Sequence, residues 1–138
     1  MWRVLLGLVD VAFVRYNPVH PGARNDLFPR LAARRATRLY NFTNTFGYVP
    51  PARFRELRLT DGYWMPRVSD HYRFALTRPE LDGLLCAPAT PDELEHTQQA
   101  LAEGPLTAEE ERYLIDLAIL DAGRAVLDDG TRPKKALR

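Results

Sequence analysis

The sequence predicts an α/β fold in which three parallel strands alternate with crossover helices, followed by one further helix. Apolar strand candidates are each followed by a loop and a helix-start signal, which is the pattern of β/α units. Strands that alternate with helices pair in parallel through right-handed crossovers. The 138 residues include 46% hydrophobic and 27% charged residues, a composition typical of one globular domain.

The first β/α unit begins with a strand candidate from Val11 to Tyr16, and Pro and Gly residues after it indicate a loop. Asn25 or Asp26 can cap a helix that runs to about Arg34. Pro29 is compatible with this helix because it falls in the first turn, where no backbone N–H is required.

The second unit has its strand candidate at Arg38 to Thr43, followed by a long polar and aromatic connection. Ser69 is placed to cap a helix from Asp70 to Arg78, and Pro79 helps to end that helix.

The third unit contains the apolar run Gly83 to Ala87, which does not alternate with polar residues. A strand that is covered on both faces has this pattern, and Cys86 is then expected to be an inert core thiol. Thr90 can cap the following helix, and Glu93 completes a capping box three residues later.

A fourth helix is predicted after Gly104, with Thr107 as its cap and Glu110 at its third position. A wide apolar face is expected to bury it against the rest of the fold. The residues of that face are Leu114, Ile115, Leu117, Ala118 and Ile119. We expect residues 1–127 to form the domain and residues 128–138 to form a solvated basic tail.

Charge and hydropathy exclude several classes of function. With 19 basic and 18 acidic residues the net charge is +1, so no field favours nucleic acid or an acidic membrane as a partner. No apolar run approaches the ~20 residues of a membrane span. Asp10 interrupts the apolar N-terminal run after Arg3, which argues against a signal peptide and favours a cytoplasmic protein.

The three histidines are not expected to bind a metal. His20 follows a strand and is predicted to organise its loop, whereas His71 and His96 are expected at solvated helical positions without ligand partners at metal spacing. An aromatic group could line a substrate pocket or simply pack the long connection, and both interpretations stay open. Its members are Phe42, Phe46, Tyr48, Tyr63 and Trp64.

Residues 69–110 resemble the last crossover helix, eighth strand and eighth helix of the aldo-keto reductases, including the Gly-Pro-Leu-Thr lead into the C-terminal helix. Residues 9–31 resemble the sixth strand and its loop, and residues 38–47 resemble the seventh strand. The resemblance implies a partial (β/α)8 TIM barrel made of the sixth to eighth units. It also implies that function gathers at the C-terminal ends of the strands.

In this family those loops bind NADP, so the resemblance implies a cofactor site at Phe42, Thr43, Ala87 and Thr90. Phe42 matches the aromatic residue that stacks on the nicotinamide. Glu93 replaces the arginine that binds the 2′-phosphate, and a carboxylate repels a phosphate. Phe13 replaces the glutamine that binds the carboxamide. NADP binding by the isolated chain is therefore expected to be weak or absent.

The family's catalytic Asp, Tyr, Lys and His come from the first four strands, which have no counterpart here, so no catalytic residue is assigned. The expected protein is a truncated, NADP-related oxidoreductase that is inactive unless a partner chain completes it. A non-enzymatic binding or assembly module, or an independent small α/β domain, are the alternatives.

Three strands of a barrel cannot close a core of their own, so an apolar surface is expected to face water. The side chains expected there are those of Ala12, Val14, Tyr40 and Leu85, or their neighbours. Such a surface predicts a complementary half-barrel chain or self-association as the partner.

Overall fold

The computed structural model describes residues 8–31, 36–59 and 62–123, and the predicted tail and domain end lie outside these ranges. Strands and helices alternate along the described chain. The elements are β1 (Val11–Arg15), α1 (Ala23–Asp26), a 3-10 helix (Phe28–Arg30), β2 (Arg38–Phe42), α2 (Pro51–Glu56), α3 (Val68–Leu76), β3 (Gly83–Leu84), α4 (Pro91–Glu103) and α5 (Ala108–Asp121).

The three strands form one parallel sheet in the order β1-β2-β3, which confirms the predicted α/β class and the parallel pairing. Phe13 lies opposite Tyr40, and Tyr40 lies opposite Gly83. The sheet does not close on itself. Within the described ranges, β1 and β3 each have a single neighbouring strand.

The two faces of the sheet differ sharply, because side chains alternate between them along each strand. On one face, Leu39 and Asn41 are buried and Val14 packs against the core. The opposite face, which we call the open face, has no helix packed on it in the described part of the chain. Its residues are Val11, Phe13, Arg15, Arg38, Tyr40, Phe42 and Gly83.

The predicted set of water-facing residues is therefore corrected by one position on β1. Phe13, which is 59% exposed, lies on the open face, whereas Ala12 and Val14 point to the helices and are half-buried. Tyr40 lies on the open face as predicted, and Leu85 is exposed just beyond β3.

The hydrophobic core lies between the sheet and the helices. The helix α5 contributes the largest share of it, as its apolar face predicts, although Ile119 is exposed. The buried cluster comprises Tyr16, Leu27, Phe28, Val49, Phe54, Leu59, Phe74, Ala75, Leu106, Tyr113, Leu114, Ile115, Leu117 and Leu120.

The first two predicted helix starts are wrong. The helix α1 has Gly22 at its N-cap position and ends at Asp26, so neither Asn25 nor Asp26 caps it, and a 3-10 turn follows around Pro29. Residues 32–35 of the predicted helix lie outside the described ranges. The helix α3 starts at Val68, and Ser69 lies inside its first turn; Asp70 accepts a hydrogen bond from the Arg67 N–H instead.

The later helix starts agree better with the sequence. In α5 the Thr107 hydroxyl and the Glu110 carboxylate form both halves of the predicted capping box. In α4 the Thr90 hydroxyl accepts from the Glu93 N–H as predicted. The Glu93 carboxylate, however, accepts from the Ala89 N–H, so the box is only half formed.

The third strand is shorter and less covered than predicted. Only Gly83 and Leu84 are paired as a strand, and Leu85 to Ala87 are exposed. Cys86 is an exposed free cysteine, so its assignment to the core is wrong. Within the described ranges, no further strand pairs with the outer edge of β3.

The long connection after β2 contains a helix that the sequence did not predict. The helix α2 begins at Pro51 and buries Phe54. Arg53 ties it to the end of α5 through a 2.6 Å contact with Asp121. Among the described helices, none combines the length and the apolar character needed to cross a membrane.

Candidate functional site

A cleft of about 520 Å³ lies at the C-terminal ends of β2 and β3. Its walls come from the turn after β2, the segment after β3, α3 and the first turns of α4. The lining residues are Thr43, Asn44, Thr45, Tyr48, Val68, Tyr72, Leu85, Cys86, Ala87, Pro88, Glu93 and His96. Ligands in open parallel sheets commonly bind beyond the carboxyl ends of the strands, so this position favours a binding site.

The turn after β2 is held in an unusual backbone conformation. Thr43 has a φ of 56°, which a residue with a β-branched side chain rarely adopts. The Asn17 side chain donates to the Thr43 carbonyl oxygen at 3.1 Å and to its hydroxyl at 3.2 Å. These two hydrogen bonds compensate the strain and fix Thr43 at the rim of the cleft.

Two buried asparagines connect the three strands beneath the cleft. Asn41 accepts from the Tyr16 N–H at 2.7 Å, donates to the Tyr16 carbonyl at 2.8 Å, and donates to the Asn44 side chain at 2.6 Å. Asn44 in turn donates to the Leu85 carbonyl at 2.8 Å. The cleft floor is therefore a fully hydrogen-bonded polar network, which favours a single fixed geometry.

A second network anchors the end of β1 to α5. The buried Tyr16 hydroxyl donates to Glu111 at 2.7 Å and accepts from Arg78 at 2.8 Å, and Arg78 also pairs with Glu111. Burial, together with the hydrogen bond to Glu111, raises the pKa of Tyr16 well above its usual range. Tyr16 is consequently a structural hydrogen-bond donor and not an acid poised to release its proton.

The electrostatic character of the cleft comes from Glu93. Its carboxylate accepts a 2.6 Å hydrogen bond from the Ala89 N–H at the start of α4, which holds it against the helix terminus. The positive end of the helix dipole is thereby matched by a carboxylate of the chain itself. The cleft therefore favours neutral or cationic groups over an additional phosphate.

Cys86 and His96 supply further polar atoms to the cleft. Neighbouring groups shield the Cys86 thiol enough to raise its pKa, although Thr97 opposes this with a hydrogen bond, so the thiol is a weak nucleophile at neutral pH. His96 is half-buried, and its Nδ1 has no hydrogen-bond partner among the described residues. That nitrogen is enclosed by the protein, in contrast to the solvated position predicted for His96.

The predicted cofactor residues divide into two groups. Thr43 and Ala87 line the cleft, and Thr90 stands beside it as the cap of α4. Phe42 lies on the open face instead, where the Arg15 guanidinium sits 5.7 Å from the centre of its ring. Thr43, Ala87 and Thr90 therefore lie in or beside the cleft, whereas the Phe42 side chain lies on the open face of the sheet.

The remaining sequence predictions have mixed outcomes. Asn17 organises the loop after β1, because its side-chain oxygen accepts from the His20 N–H at 2.9 Å, and the His20 ring Nδ1 lies 3.2 Å from the same oxygen. His71 is buried, at 2% exposure, so the solvated position predicted for it is wrong. Within the aromatic group, Tyr48 lines the cleft, whereas the Trp64 ring packs against Tyr113. The Tyr113 hydroxyl donates a hydrogen bond to the Trp64 backbone carbonyl.

Sequence reasoning missed Tyr72 and His96 as cleft residues. A usable signal was present in the helical spacing, since Val68 and Tyr72 are four apart and Glu93 and His96 are three apart, which puts each pair on one helix face. In the described ranges, no group of three or more His, Cys, Asp or Glu residues could hold a metal ion.

Comparison of the chain with protein-family models, with curated proteins and with solved structures finds no match.

Proposed function

We propose that the chain forms the last three β/α units of a (β/α)8 barrel of the aldo-keto reductase type, and that the completed barrel binds a nicotinamide dinucleotide in the cytoplasm. The open face is the observation that carries this proposal. Parallel sheets are normally covered on both faces, whereas this apolar face is bare in the described part of the chain. A complementary half-barrel would cover it and pair with the free strand edges.

The packing within the open face also supports a barrel interior, in which side chains from neighbouring strands meet in layers. Phe13, Tyr40 and Gly83 stand at one level of the sheet by register. The rings of Phe13 and Tyr40 are 6.4 Å apart, and a carbon added to Gly83 would lie 3.0 Å from Tyr40 Cε1. The Tyr40 ring therefore fills the space that the glycine leaves.

The cleft is the proposed place for the adenosine end of the dinucleotide. Thr43, Ala87 and His96 line it, and Thr90 stands beside it as the cap of α4. Glu93 occupies the wall where the family places an arginine, so an added 2′-phosphate would be repelled. We therefore expect NADP to bind no better than NAD.

The nicotinamide end would reach the open face at Phe42. One side of the Phe42 ring is already covered by the Arg15 guanidinium, which leaves the other side of the ring for stacking. Proton transfer to a carbonyl substrate would have to come from the complementary half. The only lysines of this chain are Lys134 and Lys135, outside the described residues.

An assembly module without an enzymatic role is the second candidate, because the same open face supports it. The two candidates differ in one respect that can be measured. The oxidoreductase proposal needs a dinucleotide in the cleft, whereas an assembly module needs only a partner on the open face.

The test is an NMR titration of the ¹⁵N-labelled chain with NADH and with NADPH at millimolar concentrations. We expect NADH to shift the amide signals of Thr43, Ala87 and Glu93, and NADPH to shift them no more strongly. Absence of any shift at these amides with either dinucleotide would exclude the cleft as a cofactor site and favour the assembly module.

Two matched variants control this titration. Ala87→Trp places a large ring in the cleft and should abolish the shifts by occupying the site. Ala102→Trp makes the same substitution at an exposed position of α4 outside the cleft, and the shifts should persist. Equal behaviour of the two variants would contradict the assignment of the site.

A further inference from the structure

The open face has a defined charge pattern as well as an apolar centre. Phe13, 59% exposed, and the half-buried Tyr40 form the centre. Arg38 lies at the level where β2 begins, opposite Val11, and Arg15 lies at the other end of the sheet, opposite Phe42. The seven residues of the face thus include two arginines and no acidic residue.

Neither arginine is neutralised within the described chain. Arg15 contacts the Phe42 ring, and no described carboxylate forms an ion pair with Arg15 or with Arg38. Other arginines of the protein do have such partners: Arg53, Arg67, Arg73 and Arg78 each pair with at least one carboxylate. Exposed arginines elsewhere, such as Arg55 and Arg112, also form no ion pair with a described carboxylate. Arg15 and Arg38 differ from them in position, because they lie on either side of the apolar centre of the open face.

We propose that the open face binds a protein surface with an apolar centre flanked by carboxylates, and that it does not pair with a second copy of itself. This inference rests on the proposed function, because we expect the complementary half-barrel to carry that partner surface. Two copies stacked face to face would bring four guanidinium groups together without a counter-charge. Burying such charges unpaired is strongly unfavourable.

The reverse arrangement is favourable for the same physical reason. A carboxylate opposite each arginine would form a charge-assisted hydrogen bond as water leaves the interface. The apolar centre would supply the burial, and the two charge pairs would fix the register and reject like-charged partners. Arg15 and Arg38 then act as specificity residues of the interface.

The chain itself provides a probe with the required chemistry. The double variant Arg15→Glu/Arg38→Glu keeps the apolar centre and replaces both flanking cations with carboxylates. We expect the wild-type chain alone and the variant alone to be monomeric by analytical ultracentrifugation at low ionic strength. An equimolar mixture should form a heterodimer at least about tenfold tighter than either self-association, and added salt should weaken it.

A matched control separates local from overall charge. Arg55→Glu/Arg112→Glu makes the same change in net charge at two exposed arginines on α2 and α5, and its mixture with wild type should remain monomeric. The proposal would be overturned if the wild-type chain formed a homodimer and Arg15→Gln/Arg38→Gln did not strengthen that homodimer. It would also be overturned if wild type associated equally well with Arg15→Glu/Arg38→Glu and with Arg55→Glu/Arg112→Glu. A mixture that stays monomeric while circular dichroism shows both chains folded would overturn it as well.

A second measurement keeps the proposal testable if the reversed variant does not fold. Arg15→Gln/Arg38→Gln removes both charges conservatively, and it should self-associate more strongly than wild type because the repulsion is gone. Unchanged self-association would contradict the role of the arginines. No dinucleotide is involved in these measurements, so their failure is distinct from failure of the NADH titration.

Discussion

His71 is buried in α3 without the hydrogen bonds that a buried imidazole usually makes. Both ring nitrogens lack a hydrogen-bond partner among the described residues, and the ring contacts Tyr48 edge-on at 5.6 Å. Burial lowers the pKa of His71 to about 4, although the neighbouring Asp70 charge partly opposes the shift. The neutral form is consequently the one that the fold accommodates.

We expect the free energy of unfolding to fall between pH 6.5 and about pH 4 because of His71. In this window the unfolded chain binds a proton that folded His71 does not, so the stability present above pH 6.5 is lost as the pH falls. The loss is roughly 3 kcal/mol, at about 1.4 kcal/mol per unit of pKa difference. Urea unfolding at a series of pH values measures it.

The control for this prediction is a pair of variants. His71→Phe removes the titrating group but keeps a ring against Tyr48, so the pH dependence in this window should flatten. His96→Phe should keep the dependence, because His71 is still present. An unchanged pH dependence in His71→Phe would show that another group causes it.

Glu93 is the residue that should decide which dinucleotide the cleft prefers. We expect Glu93→Arg to increase the preference for NADPH over NADH by about tenfold or more, because a guanidinium pairs with a phosphate that a carboxylate repels. Glu95→Arg, an exposed change of the same charge on α4 outside the cleft, is the control. Calorimetric titration of both variants would refute the assignment if their preferences were the same.

At this scale the sequence predicted some residues of the site and not others. Thr43, Ala87 and Thr90 were implied by the resemblance, together with Phe42, and these three lie in or beside the cleft because the segments after β2 and β3 meet there. Burial of His71 and the partial burial of His96 depend on which helix face meets the turn after β2. That contact joins residues far apart in the chain, so local pattern could not supply it.

At the scale of elements, Asn41 joins β2 to the end of β1 and to the turn that shapes the cleft. We expect Asn41→Ala to destabilise the protein by about 2–4 kcal/mol, since it leaves the Tyr16 N–H and carbonyl unpaired in a buried site. Denaturant unfolding measures this loss. Asn25→Ala, at an exposed position of α1, should change stability by less than about 0.5 kcal/mol, and equal losses would contradict a special role for Asn41.

The elements were predictable where local pattern decides them. The first two strands ended within one residue of prediction, and the Thr107 cap was correct, because short runs of apolar and aromatic residues and capping boxes act over a few residues. Gly83 to Ala87 was predicted as a strand covered on both faces. An apolar run indicates a preference for burial, but residues 85–87 remain exposed and form one wall of the cleft.

At the scale of the whole molecule, the parallel order β1-β2-β3 followed from the alternation of strands and helices. The sequence did not predict which residues of β1 face the helices, because a short apolar strand such as Val11–Arg15 has hydrophobic residues on both faces. Both faces being apolar is itself consistent with a strand that is buried on both sides in a completed barrel. In a completed barrel, the open face would be covered, the free strand edges would be paired, and the cleft would lie at the C-terminal ends of the strands.

The most direct test of this account is the solvent exposure of the open face in solution. In a Cys86→Ser background, which removes the sole cysteine, Phe13→Cys places a thiol on the open face and Ala75→Cys places one at a fully buried position. Labelling rates with N-ethylmaleimide can be followed by mass spectrometry. We predict that Cys at position 13 reacts within about tenfold of an unfolded-chain thiol and that Cys at position 75 is strongly protected. Equal protection of both positions in the folded chain would contradict an open face.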